Sequence, residues 1–444
     1  MSVLRFDELE PRVARLAAAL GSARPRPRVA GLLADNGPDW VLADLAAQEA
    51  GVVLVPLPGF FTAAQCAHAV AATGMDTLFG GALPGFAPMG EIEGIAWSQR
   101  SAEPAAFKAR IAKLTFTSGT TGAPKAVQLS AAQQWTVARS LASAARSLGL
   151  RRHLCLLPLS VLLENVAGLY ASRLAGAECC VPPLSEVGMR GSSIFDARAC
   201  LAALERWQPD SVILLPQMLL ELSAALESGA RAPKSLKFAA VGGAKVSPAL
   251  ILRARSLGLP VYEGYGLSEC ASVVALNLPG ADRPGSVGKP LAHVEVRIVE
   301  REIHVKSHGA WHATGDLGGL DADGFLHIHG RRRHVLITSF GRNLCPEWPE
   351  AELLAGRAIV QAAVFGEARP ALCALVVPAP GAPDAAVQAQ VRLANARLPD
   401  YARIRSWLRA DAPFTAQNGL ATANGRPRRD ALWQAYGARL DGLL

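Results

Sequence analysis

Between Leu114 and Val127 the chain reads L-T-F-T-S-G-T-T-G-A-P-K-A-V, and nine of these residues, Thr117 to Lys125, gather four hydroxyls, two glycines and one lysine. Glycine lets backbone N–H groups turn toward an anion, hydroxyls add donors, and lysine supplies a compact positive charge. Thr117, Ser118, Gly119, Thr120, Thr121, Gly122 and Lys125 therefore have the chemistry of a polyphosphate cradle. The spacing is not that of the common G-x-x-x-x-G-K-[ST] loop, because Gly119 and Gly122 are three apart and Pro124 precedes the lysine. A flexible surface loop has similar composition, but the ordered spacing argues against that reading.

A second segment, V-Y-E-G-Y-G-L-S-E-C (Val261 to Cys270), starts like a dinucleotide fingerprint but puts Glu269 where the third glycine belongs. A carboxylate facing pyrophosphate is repelled unless a divalent cation stands between them, so Glu269 reads as a Mg²⁺ ligand. Tyr265 offers a ring face to a planar base. Taken alone, the segment is equally well an ordinary strand-end turn. Upstream, V-G-G-A-K-V-S-P (Val241 to Pro248) is a strand followed by a glycine turn that admits a ligand close to the backbone. Downstream, H-A-T-G-D-L-G places Asp316 after a Thr-Gly turn, where a carboxylate can accept ribose hydroxyls.

These segments need a large scaffold. The chain has 444 residues, half of them hydrophobic and 18% charged, enough for two or three compact units. The net charge of +8 comes mainly from scattered arginines with no aromatic-rich RNA-binding motif, so an anionic substrate or a basic genome-wide bias explains it better than a nucleic-acid partner. No apolar run is long enough to cross a membrane, and the N-terminal residues lack the apolar centre of a signal peptide. A cytoplasmic location follows, with peripheral membrane contact through an apolar substrate as the alternative. The eight cysteines form no C-x-x-C pair, which suits buried thiols in a reducing compartment. His327 and His329 alternate along one strand face, but Asp321 and Asp323 belong to the turn before it, which weakens a metal-site reading.

Hydrophobic periodicity predicts an α/β fold. Leu9, Val13, Leu16 and Leu20 mark an N-terminal amphipathic helix, with Pro11 tolerated only in its first turn. Val29–Leu33, Val52–Leu57, Leu154–Leu157, Ser211–Leu215 and Phe238–Val241 read as buried strands. Asp39–Glu49, Ala131–Leu148 and Ala197–Trp207 read as helices between them. This alternation predicts parallel-rich sheets flanked by helices. After Pro284 the pattern shifts to short strands, Glu295–Val299, Glu302–Val305 and Gly324–Ile328, a β-rich subdomain. Residues 331–444 read as a small α+β unit: a strand at Val335–Ile337, a helix at Trp348–Leu354, strands at Ala358–Phe365 and Leu372–Val377, and a helix at Ala385–Leu398. The expected domains are 1–330 and 331–444.

In order along the chain, T-S-G-T-T-G-A-P-K, E-G-Y-G-L-S-E, A-T-G-D and G-R-R-R-H-V-L-I-T-S-F-G-R-N-L-C-P-E resemble the phosphate, adenine-and-magnesium, ribose and hinge motifs of the adenylate-forming superfamily. L-P-L-S-V-L-L-E-N-V-A-G-L-Y and N-G-L-A-T-A-N-G-R look most like long-chain fatty acyl-CoA synthetases. The resemblance implies that Thr117 to Lys125 wrap the β- and γ-phosphates of ATP, with Thr117 and Glu269 near Mg²⁺. It implies that Tyr265 stacks on adenine among Gly243, Ala244, Glu263, Gly266 and Ser268. Asp316 and Arg331 would hold the ribose, and Arg333 falls at the hinge to a mobile C-terminal domain. The implied reaction joins a carboxylic acid to AMP and then passes the acyl group to a thiol, coenzyme A or an acyl carrier protein.

Two departures stand out. Where the family has a lysine bridging carboxylate and α-phosphate, this chain has Arg426, and no lysine follows Lys306. Arginine keeps the charge, but its planar fork differs from an ammonium. Val161 stands where relatives often carry a histidine or other ring, removing a polar wall from the expected acyl pocket. The chain is also short in its N-terminal part, through trimmed loops or a missing pocket element. The expectation is an acid–thiol ligase acting on a medium or long fatty acid, with Arg426, Lys125 and Glu269 as its catalytic residues. A carrier-protein-loading acyl-AMP ligase and a nucleotide-binding partner protein without ligase activity are the alternatives.

Overall fold

The computed structural model describes residues 3–117, 125–191, 194–339, 343–422 and 425–443. Ser118, Gly119, Thr120, Thr121 and Gly122 lie outside the described residues, and of Thr117 and Lys125 only the backbone is described. The contacts group into two compact units. One comprises Met1–Ile213, Lys234–Phe238 and Gly266–Val273, and the other Leu214–Pro233, Ala239–Tyr265 and Val274–Leu444.

The first unit is built on a seven-stranded sheet. Val29–Leu33, an almost wholly buried apolar run, pairs in parallel with Val53–Pro56 and Thr77–Gly80, as a strand covered on both faces should. Val53–Pro56 in turn runs parallel to Ile111–Thr117, with Leu54 opposite Lys113. The margins depart from the parallel expectation: Ile95–Gln99 runs antiparallel to Thr77–Gly80 and forms a tight hairpin with the edge strand Ala87–Ile92, and Lys125–Ser130 adds on antiparallel at the other edge. Ile111–Thr117 and Lys125–Ser130 form a hairpin with Thr117 directly opposite Lys125. The two ends of the expected phosphate loop are therefore fixed side by side at the tip of a sheet.

The helix Phe6–Ser22 buries Leu9, Val13, Leu16 and Leu20, as the periodicity requires. It begins early enough that Pro11 falls beyond the first turn. An interior proline costs about 3 kcal/mol, but each fully buried aliphatic side chain contributes about 1.5–3 kcal/mol, so the stripe prevails. The expected strand at Leu154–Leu157 instead spans Arg152–Leu154, parallel to Glu178–Cys180 and Ser211–Leu214. Cys155 still donates to Cys180 O, but the Leu157 N–H is taken by a side chain, that of Glu164. Ala131–Ala144 starts on a capping box made by Ser130 and Gln133 and ends in a separate 3₁₀ turn, Arg146–Leu148.

In the second unit, Phe238–Val241 lies parallel to Val261–Leu267. Val294–Val299, Glu302–Ser307, Ala310–Leu320 and Leu326–Arg331 form an antiparallel four-stranded sheet. The last strand starts later than expected because Asp321 folds its carboxylate onto the N–H groups of Asp323 and Phe325, closing a turn at Gly324. It then runs on to Arg331. Toward the C-terminus, Leu372–Pro378 pairs antiparallel with Ile359–Phe365 and parallel with Ile404–Arg409. Strand alternation sends Ala362, Val364, Leu372, Ala374 and Val376 to a core shared with Val387 and Val391 of the helix Asp384–Ala396. Ala363, Phe365, Cys373, Leu375 and Val377 face the helix Arg429–Asp441 through Leu432, Tyr436 and Leu440.

Candidate nucleotide and acid site

In the second unit the structure gathers Tyr265, Asp316, Arg331 and Arg426. Register does the first part: Asp316 on Ala310–Leu320 lies directly opposite Arg331 on Leu326–Arg331. Their side chains pair at 2.7 Å from Arg331 Nε to Asp316 Oδ1. The other carboxylate oxygen accepts the Tyr265 hydroxyl at 2.5 Å. Tyr265, expected only to offer its ring, thus also fixes Asp316. Burial raises the Asp316 pKa, and the Arg331 charge opposes that shift. Burial likewise raises the Tyr265 phenol, helped by the Asp316 charge, so the phenol stays a donor.

Arg426 donates through Nη2 to the carbonyl of Gly243, whose φ of 87° lies in the left-handed region open to glycine. The guanidinium keeps contact with solvent at the surface. The surrounding protein still lowers its pKa, as does nearby Arg331, while Asp316 raises it. Arg333 is exposed and donates to His334 Nε2 at 3.1 Å. Burial and Arg331 lower its pKa. Three guanidiniums thus share one electrostatic neighbourhood with Asp316, suited to a bound anion.

Glu263 has its carboxylate bonded to the backbone. It is buried and accepts the Val246 N–H at 3.3 Å, tying the Gly243–Ala244 turn to the strand Val261–Leu267. Burial pushes its carboxyl up to about 8. The neighbouring Lys245, missed in the sequence, donates to Ile328 O at 2.9 Å, and burial lowers its pKa. Ala244 stays exposed beside them.

In the first unit Glu269 stands exposed in the 3₁₀ turn Ser268–Cys270, which follows Gly266 and Leu267 at the end of the strand. Its exposed carboxylate is a hard oxygen donor of the kind Mg²⁺ prefers. His327 and His329 do not come together with Asp321 and Asp323 as a ligand set. Asp321 pairs with His327 at 3.0 Å and also with Arg283, which reaches Asp323 at 2.7 Å. Among the described residues the ligating group of three is His153, Cys155 and Glu164, all buried. All eight cysteines are free thiols and seven are buried, as expected of small hydrophobes.

The sequence reading missed a buried network. Lys113, fully enclosed, places Nζ 2.6 Å from Asp44 Oδ1, 2.5 Å from Asn165 Oδ1 and 3.0 Å from Tyr170 Oη. Tyr170 donates to Asp44 Oδ2 at 2.7 Å and stacks on Trp135 with centroids 4.4 Å apart. Burial lowers the Lys113 pKa and the Asp44 charge opposes the shift. The available signal was a lysine inside the apolar strand pattern of I-A-K-L-T-F-T.

Residues 3–310 match the model of the AMP-binding enzyme family, and residues 333–443 match the AMP-binding enzyme C-terminal domain. The chain belongs to the AMP-binding enzyme family. It is 31% identical over 292 residues to a 2-succinylbenzoate–CoA ligase of Bacillus velezensis, covering 58% of this chain and 56% of that protein. It is 30% identical over 266 residues to a long-chain-fatty-acid–CoA ligase of Mycobacterium bovis, covering 50% of this chain and 43% of the relative. The matched segments thus span about half the length of these relatives. Among solved structures, it superposes on an anthranilate CoA ligase in complex with anthranoyl-AMP with a TM-score of 0.78 at 20% identity, covering 96% of this chain and 92% of that one. The o-succinylbenzoate CoA synthetase of Bacillus subtilis with its acyl-adenylate gives a TM-score of 0.76 at 24% identity, with the same coverage. These likenesses agree with the α/β fold of a large N-terminal and a smaller C-terminal domain. No helix among the described residues is long and apolar enough to cross a membrane.

Proposed function

We propose that this protein is an ATP-dependent acid–thiol ligase that forms an acyl-adenylate and transfers the acyl group to coenzyme A. The observation that carries the reading is Arg426. It takes the place of the family's lysine and reaches Gly243 within electrostatic range of the Asp316–Arg331 pair. Asp316, held by Arg331 and Tyr265, would accept the ribose hydroxyls. Thr117, Lys125 and the residues between them would take the β- and γ-phosphates. Glu269, with Thr117, would hold Mg²⁺, which supplies charge neutralisation to the phosphates when bound.

In the first half-reaction a carboxylate oxygen bonds to the α-phosphorus and the bond to pyrophosphate breaks. Both reactants are anions, so a guanidinium fixed between them offsets their repulsion and orients the attack. In the second half a thiolate sulfur attacks the acyl carbonyl, AMP leaves and a thioester forms. Residues 331–444 would act as the mobile domain, turning about Arg333 between the halves.

The acid is proposed to be aliphatic and of medium or long chain, from the apolar, aromatic-poor Val161–Leu169 run. An aromatic acid is the second reading, favoured by the relatives named for succinylbenzoate and anthranilate. A carrier-protein thiol is the alternative acceptor.

The test is ATP–pyrophosphate exchange across aliphatic and aryl acids with wild type, Arg426→Lys and Arg426→Ala. Exchange should occur with one acid class and fall about 100- to 1000-fold in Arg426→Ala, the loss expected of one preorganised charge donor. Arg426→Lys should retain exchange within about tenfold, since the charge remains while the geometry changes. Absence of exchange with every acid, in wild type and Arg426→Lys alike, would sink the ligase reading in favour of a nucleotide-binding protein.

A further inference from the structure

The segment Leu157–Val161, L-P-L-S-V, is held far more tightly than a connection between elements requires. Leu157 to Ser160 are buried, so their backbone groups need protein partners. Asn36 supplies two: its Nδ2 donates to Leu157 O at 2.9 Å and its Oδ1 accepts the Leu159 N–H at 2.8 Å. Glu164 supplies a third, with Oε2 accepting the Leu157 N–H at 2.9 Å. Its other oxygen lies 2.8 Å from His153 Nε2, and His153 Nδ1 lies 3.0 Å from Ser211 Oγ. This chain of serine, imidazole and carboxylate has the partners of a hydrolytic triad, but it is buried and its carboxylate is committed to a backbone amide.

Glu164 opens a π-helix, Glu164–Tyr170, an irregularity that recurs at functional sites. The wider coil sends consecutive residues to different tasks. Glu164 grips Leu157, while Asn165 joins Lys113 and Asp44. Gly168 makes room for this, since a Cβ there would fall 2.2 Å from Glu164 Oε1 and 2.7 Å from His153 Nε2. The buried His153–Glu164 hydrogen bond thus anchors the π-helix to the sheet, and the π-helix anchors the turn. Within 157–163, Val161 and Leu163 are the side chains left partly open.

We propose that Asn36 and Glu164, backed by His153 and Ser211, are positioning residues that fix this turn so that Val161 presents a rigid apolar wall to the acid. They set acid selectivity without touching the reacting atoms. The proposal rests on the ligase reading for its substrate but makes its own structural claim.

The test uses Glu164→Leu, which removes both acceptor oxygens, and Gly168→Ala in the full chain, with two readouts. Amide exchange at Leu157 and Leu159 should accelerate at least tenfold at one or both positions while the sheet core stays protected. KM for the acid should rise about tenfold with KM for ATP within twofold, and chain-length preference should flatten. Val161→Phe should shift that preference in the wild-type background and lose most of its effect beside Glu164→Leu. Unchanged exchange at both amides would overturn the clamp. Acid and ATP parameters that fall together, or a loss of stability alone, would overturn its role in selectivity. A wild type inactive on every acid would instead count against the ligase reading, a failure the exchange data keep separate.

Discussion

Glu263 shows how a single residue can carry a family signature and yet serve the scaffold. Its carboxyl is buried, bonded to the Val246 N–H and pushed up to about 8. Raised above its unfolded value, it binds a proton in the native state that the unfolded chain has released. Its contribution to stability is full below the ordinary glutamate range and is lost as pH rises toward about 8. Each pKa unit corresponds to about 1.4 kcal/mol, so the swing is on the order of a few kcal/mol. Glu263→Gln keeps an oxygen to accept Val246 and cannot ionise. Its melting temperature relative to wild type should therefore climb as pH rises from about 4.5 to 8 and level off above that. A difference that stays flat over this window would show that Glu263 is ionised throughout.

At the scale of elements, helices and strands were readable where one apolar period ran unbroken. Ala197–Trp207 and Phe238–Val241 follow the sequence to the residue. The strand expected at Gly324–Ile328 starts only at Leu326 because an Asp321 side chain, rather than the hydropathy pattern, closes the turn before it. The π-helix was invisible because its cause is long-range: Asn165 and Tyr170 turn toward Lys113 and Asp44, which lie in two other elements. Of the candidate site, the order and chemistry of the motifs were legible, but the double use of Asp316 by Arg331 and Tyr265 depends on sheet register. The buried network makes a direct prediction. Lys113→Met leaves Asp44 charged and buried without its cation, which should cost about 3–5 kcal/mol. Adding Asp44→Asn removes the orphaned charge while keeping an acceptor for Tyr170, so the double variant should recover part of the lost thermal midpoint. Additive losses would mean that the two residues stabilise the fold independently.

Across the whole molecule, the proposed two-step chemistry needs residues 331–444 to hold one arrangement and then release it. In the second unit, Arg426 bonds to Gly243, Arg253 Nη1 donates to Ala355 O at 3.1 Å, and Arg357 pairs with Glu227. These ties do not weigh equally. Arg357 is largely exposed, and an exposed pair is worth about 0–1 kcal/mol. A contact made in only one of two states biases their balance by its own free energy and no more. On the proposed function, an arrangement that holds Arg426 near Asp316 would be the one suited to adenylation. Arg357→Gln should therefore slow single-turnover adenylation by about two- to fivefold, the factor that 1 kcal/mol allows. Thioester formation from preformed acyl-adenylate should quicken by a similar factor, and raised salt should mimic both effects in the wild type by screening the pair. Rapid-quench measurement of the two half-reactions decides the point. Opposite changes identify the tie as specific to one state, whereas a parallel fall in both rates would mean that Arg357 supports the fold of both.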